Sequence, residues 1–186
     1  MSFSGSRLGW LWPLAALMAV VIAWLLRSRP PSVPQFDFNL TPKAVIWQVE
    51  QAIAEHCQIV DSVLASQEIS FTKVIERLAW AEARLKMATA APIFLQQVSE
   101  QAGVREASVE AAKLLDRHEI AMRAHEGLFA LTKQVAATLK PGELDAESQR
   151  LLDKLLLGYR RMGLELPPSQ RARFKAIKER LAGVGD

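Results

Sequence analysis

Apolar positions follow two different patterns along the chain. Residues 8–26, LGWLWPLAALMAVVIAWLL, are 19 uncharged residues in succession. As a helix at ~1.5 Å per residue they would reach roughly 28 Å, the thickness of a bilayer core. From Phe38 onward apolar side chains recur at spacings of three and four, and no sustained strand-like alternation occurs. Thr41-Pro42 reads as N-cap and first helical residue of a helix through Val45, Ile46, Val49, Ile53 and on to Val63. Ser70 or Thr72 caps a second, with Val74, Leu78, Ala81, Leu85 and Ala88 facing inward. Pro92 should interrupt it, leaving a short helical stretch through Phe94, Leu95 and Val98 that ends near Gly103. Residues 104–139 carry one continuous pattern, so a helix of ~35 residues and about 52 Å is expected, long enough to imply an elongated bundle. Pro141-Gly142 breaks it. Asp145 caps a helix on Leu151, Leu152, Leu155, Leu156, Tyr159 and Met162 that stops at Gly163, and a last helix carries Phe174, Ile177 and Leu181, stopped by Gly183. The expected class is all-α, an elongated bundle of five or six helices joined by short turns and preceded by a single transmembrane helix.

The flanks of the first segment favour a retained anchor over a cleaved signal. Trp10, Trp12 and Trp24 sit near its ends, Arg7 and Arg27 close it, and bulky, charged and Pro-rich residues follow, with no small-x-small cleavage site. The organisation expected is a short tail at 1–7, a transmembrane anchor at 8–26, a Pro-rich linker at 27–36 containing PPSVPQ, and a helical domain at 37–186. Charge around the anchor places the C-terminal domain in the cytosol of a single-pass membrane protein.

Charge otherwise says little about partners. The chain has 23 basic and 20 acidic residues, but Arg7, Arg27 and Arg29 precede the first acid, Asp37, so positions 37–186 are balanced. Net charge therefore gives no reason to expect nucleic-acid binding. The seven cations from Arg160 to Arg180 read as a solvated face. A single Cys, Cys57, rules out an intrachain disulfide and a Cys-rich zinc module.

Catalytic chemistry is sparse. Of the three histidines, His118 and His125 share one helical stretch, and His118-Glu119 begins like H-E-x-x-H, but the position one turn on is Met122. His125 lies seven residues along, ~10.5 Å up the axis, too far for both imidazoles to reach one zinc from a straight helix. His56 and Cys57 are adjacent and diverge by about 100° on a helix, and Cys57 reads as a small core residue. There is no nucleophile elbow, phosphate loop or dinucleotide turn, and the carboxylate pairs Glu76/Glu82 and Glu106/Glu110 read as solvated helix faces. No residue is singled out as catalytic, cofactor-binding or metal-ligating.

The order of helix signatures carries more. The stretch DAESQRLLDKLLLGYRRMGLELPPSQRARFKAIKERL, from Asp145 to Leu181, has a Leu-rich helix ending in paired Arg before Gly163-Leu164. Leu166-Pro167 follows, then a basic helix with Lys175 and Lys178 around Ile177. Upstream lie SVEAAKLLDRHEIAMRAHEGLFALTKQV, with its apolar-acidic-apolar run around Glu119 and Met122, and the opening FDFNLTPKAV. Together, over roughly residues 36–182, these resemble the N-terminal region of the thimet oligopeptidase/neurolysin family of M3 zinc metallopeptidases. The resemblance implies an all-helical wall of a channel that admits short peptides, with zinc bound elsewhere in the complete enzyme by H-E-x-x-H and a downstream Glu. None of those ligands has a matching position here. This chain is accordingly expected to be a portion that binds no zinc and does not act on peptides alone. The alternative is a membrane-anchored helical interaction module without enzymatic activity.

Overall fold

The computed structural model describes residues 36–167, 169–171, 173, 174 and 177. All but Phe36 belong to the compact unit Asp37–Asp186. Helix α1 (Pro42–Leu64) begins where the Thr41 hydroxyl accepts the Ala44 N–H at 3.2 Å, with Pro42 in the first turn. Its buried face is Val45, Val49, Ala52, His56, Val60 and Val63. The chain then turns, Ser70 accepts the Lys73 N–H at 3.3 Å, and a π-helical segment (Phe71–Glu76) runs straight into α2 (Arg77–Val98). Helices α3 (Ala102–Arg123), α4 (Glu126–Thr138) and α5 (Ala146–Arg161) follow, making six helical segments up to Arg161.

The first three helices pack mutually, α1 antiparallel to α2 and α2 to α3. Val45 and Val49 of α1 meet Leu95 of α2 and Val104 and Ala111 of α3 in one apolar cluster. At the other end of α1, Val63 joins Phe71, Val74 and Ile75 with Leu131 and Val135 of α4 and Leu152 of α5. A third cluster ties Val60 to Leu128, Phe129, Tyr159 and Leu164.

Three local expectations are corrected. Pro92 does not interrupt α2: it is buried inside the helix with Ala91 and Leu95. An interior Pro costs about 3 kcal/mol, and burying these neighbours offsets that cost. The break falls at Ser99–Gln101, where the Arg105 guanidinium donates to the carbonyls of Ser99 and Glu100 at 2.8 and 3.0 Å. Gly103 lies inside α3 rather than ending a helix. The single helix over 104–139 is two helices, because the chain leaves helical geometry at His125, whose Nδ1 accepts the Leu128 N–H at 3.2 Å and starts α4. The argument for elongation, which rested on that length, falls with it.

The cap at Asp145 is present, its carboxylate accepting the Ser148 N–H at 2.7 Å. At the far end of α5, Gly163 takes φ +80° while the Leu164 N–H reaches back to the Tyr159 carbonyl, closing the helix in the left-handed manner glycine permits. The last expected helix is described in part: residues 169–171, 173, 174 and 177 are helical, while Leu181 and Gly183 lie outside the described residues.

The anchor expected over 8–26 also lies outside the described residues. Among the described residues no helix is long and apolar enough to cross a membrane. The longest, α1, shows why: Lys43, Glu50, Glu55 and Asp61 punctuate its 23 residues. The expected transmembrane helix and single-pass membrane localisation with a cytosolic C-terminal domain are corrected for the described residues alone, none of whose helices supports them.

Candidate functional site

Helical packing gathers the chemistry that sequence distance separates. His56 sits on the buried face of α1, 8% exposed, and His118 approaches it from α3. Nε2 of His118 is 3.0 Å from Nδ1 of His56, and the rings meet edge to face at 4.9 Å between centroids. The other nitrogen of His118, Nδ1, lies 3.9 Å from the Cys57 sulfur. His56 and Cys57 diverge on α1 as expected of neighbours, yet both reach one imidazole because His118 presents a different nitrogen to each.

Burial dominates the electrostatics. It lowers the pKa of His56, helped by His118 and opposed by Glu82, and lowers that of His118 against the pull of Glu119. Burial also raises the Cys57 thiol, with Asp61 adding to it, and raises the Tyr159 phenol, where a hydrogen bond to Thr132 works the other way. At neutral pH the imidazoles are thus neutral and Cys57 is a thiol, so it is not an activated nucleophile.

His56, His118 and Tyr159 border a cleft of about 270 Å³ lined by α1, α2, α3, α4 and α5. Val60, Leu78, Leu85, Met122, Leu128 and Leu155 make it apolar, and Lys86, Lys154 and Arg123 stand with Glu82 and Glu119 among its lining.

The residues present do not fit a zinc site. His56 and Cys57 address opposite nitrogens of His118, His125 spends its Nδ1 on capping α4, and no group of three or more His, Cys, Asp or Glu among the described residues could hold a metal ion. Of the carboxylates noted in the sequence, Glu82 pairs with Lys86 at 2.6 Å and Glu110 with Lys113 at 2.7 Å on their own helices, the latter lowering the Glu110 pKa. Of the C-terminal cations, Arg160 binds Glu165 at 2.8 Å and Arg171 binds Glu126 and the Leu166 carbonyl.

Known proteins are similar to this chain in sequence. The chain is 26% identical over 157 residues to a probable thimet oligopeptidase of Arabidopsis thaliana, and 24% identical to the saccharolysin of Saccharomyces cerevisiae and to oligopeptidase A of Salmonella typhimurium. The resemblance is to the M3 oligopeptidases. It covers 82–83% of this chain but only 22–23% of each relative, so the chain spans about a fifth of their length. No family profile matches.

The sequence missed the pairing of His56 with His118. Its signal was the position of His56 in the inward row of α1, in step with Ala52 and Val60. A polar residue in such a row needs a partner.

Proposed function

We infer that this chain forms the N-terminal helical, channel-wall portion of an M3-type zinc metalloendopeptidase acting on short peptides, and that these 186 residues alone do not hydrolyse peptides. The observation that carries the reading is similarity to three oligopeptidases over four-fifths of the chain and about a fifth of each of them. Two features support it. The three histidines and Cys57 are engaged with one another or in a cap, and no group of three or more His, Cys, Asp or Glu among the described residues could hold a metal ion. In addition, α2 leaves Trp80, Met87, Phe94 and Val98 exposed at intervals of seven, seven and four, a stripe opposite the buried Leu85, Thr89 and Pro92 and flanked by the buried Ala91 and Leu95. The remainder of an oligopeptidase would cover such a stripe.

The same stripe favours a second reading, a helical interaction module without enzymatic activity. The test of the first is direct. The full chain, shown to be helical by circular dichroism, is incubated with zinc and a quenched fluorescent peptide. No turnover above the blank is expected, and chelator-sensitive cleavage would overturn it.

A further inference from the structure

The cleft beside the histidine pair has no part in the reading above. Its floor is apolar, and Gly158 contributes open space, since a Cβ there would meet nothing within 4 Å. A volume of about 270 Å³ accommodates a chain of roughly eight carbons.

Its charges are unevenly satisfied. Glu82 is bound by Lys86 at 2.6 Å and Glu119 by Arg123 at 2.8 Å, each pair one turn apart on a single helix. Lys154 has no ion-pair partner among the described residues, so the uncompensated charge in the lining is positive. The histidine pair adds a directed donor. A thiol sulfur accepts poorly and imidazole nitrogen accepts well, which favours the tautomer in which the Cys57 S–H donates to Nδ1 of His118. His118 then carries its proton on Nε2 and donates to Nδ1 of His56, which leaves the His56 proton on Nε2. His56 is 8% exposed and lines the cleft, and since no buried side-chain nitrogen or oxygen among the described residues lacks a partner, its unpaired Nε2–H is open to solvent and is offered to whatever enters.

We propose that this cleft binds a small carboxylate with an apolar tail, the tail lying on Leu78, Met122 and Leu155 and the carboxylate meeting the Nε2–H of His56 and the Lys154 ammonium. The pairing is of complementary kinds: apolar lining for the tail, one accessible N–H donor and one unpaired cation for the head. The proposal is independent of the peptidase reading.

Two sources offer this chemistry, a medium-chain fatty acid and the free carboxyl terminus of an apolar peptide, and octanoate and N-acetyl-Leu-Leu represent them. With only three histidines, the imidazole nitrogen spectrum of the full chain gives a site-specific readout. Saturable one-to-one shifts of the His56 and His118 signals are expected with one or both carboxylates, and whichever binds tighter names the source. Octanol and octylamine should bind about tenfold more weakly. Gly158→Leu fills the space and should abolish the shifts. Lys154→Glu, an exposed change that leaves packing alone, should weaken binding about tenfold. Equal binding of octanol and octanoate, or no saturable shift with either carboxylate, would overturn the proposal.

Discussion

His56 and His118, 62 positions apart, share a hydrogen bond of 3.0 Å that joins α1 to α3 at the edge of a cleft. Burial keeps both rings neutral, and each ring nearby makes protonation of His56 harder. The bond needs one ring to donate and the other to accept, so protonating both removes it and sets two cations side by side.

Stability should therefore fall in mild acid. Both folded pKa values lie below the ordinary 6.5, so just under that pH the unfolded chain binds more protons than the folded one. Stability drops as pH falls from 6.5 toward the folded values and levels off once the folded pair is protonated too. Urea midpoints compared at about pH 7.5 and about pH 5.5 should show this loss, and a His56→Gln/His118→Gln chain should show less of it. An unchanged slope in the double variant would remove the pair as its cause.

Much of the fold was legible because its signals are local. Thr41-Pro42, Ser70, Asp145 and Gly163 mark helix ends through chemistry confined to four or five residues, and each does so in the structure. Pro92 and the 104–139 run were misread because tertiary packing decides them. Burial carries α2 through a proline, and a histidine without any strong capping preference divides what apolar periodicity joins. The cleft was illegible for a related reason: its walls come from five helices, and only the inward position of His56 hinted at a partner.

The division at His125 rests on one side chain. His125→Ala removes the acceptor for the Leu128 N–H and should cost about 1 kcal/mol. His125→Asn keeps an acceptor at the N-cap and should lose only a fraction of that. Thermal denaturation of the two variants checks the order. Equal losses would mean that the break is held by packing around Leu128 and Phe129 instead.

Gly142 and Gly163 both have positive φ, 77° and 80°, but their surroundings differ. A Cβ at Gly142 meets nothing within 4 Å, so Gly142→Ala carries the backbone cost alone, about 1 kcal/mol. A Cβ at Gly163 would stand 2.8 Å from the Phe174 ring, forcing the ring to move as well. Gly163→Ala should cost visibly more than Gly142→Ala in the same denaturation assay. Equal costs would show that Phe174 gives way freely.

The stripe on α2 separates folding from association. Trp80 is 71% exposed and Phe94 52%, on the side of their helix opposite the buried Leu85 and Thr89. Charging them removes apolar surface that is already in water, so Trp80→Glu/Phe94→Glu should leave the urea midpoint nearly unchanged, within about 0.5 kcal/mol per site. The edge contact of Phe94 with Phe38, 6.2 Å between centroids, is the one packing interaction the change sacrifices here. The same variant should lose much of the dye binding that an uncovered apolar stripe supports. Leu152→Ala supplies the contrast. That side chain is 2% exposed in the cluster joining α5 to α1 and α4, and its removal should cost about 2–5 kcal/mol while leaving the stripe intact. If the double Glu variant instead unfolded as readily as Leu152→Ala, Trp80 and Phe94 would belong to the core of this fold, and α2 would have no face left for the rest of an oligopeptidase or any other partner to cover.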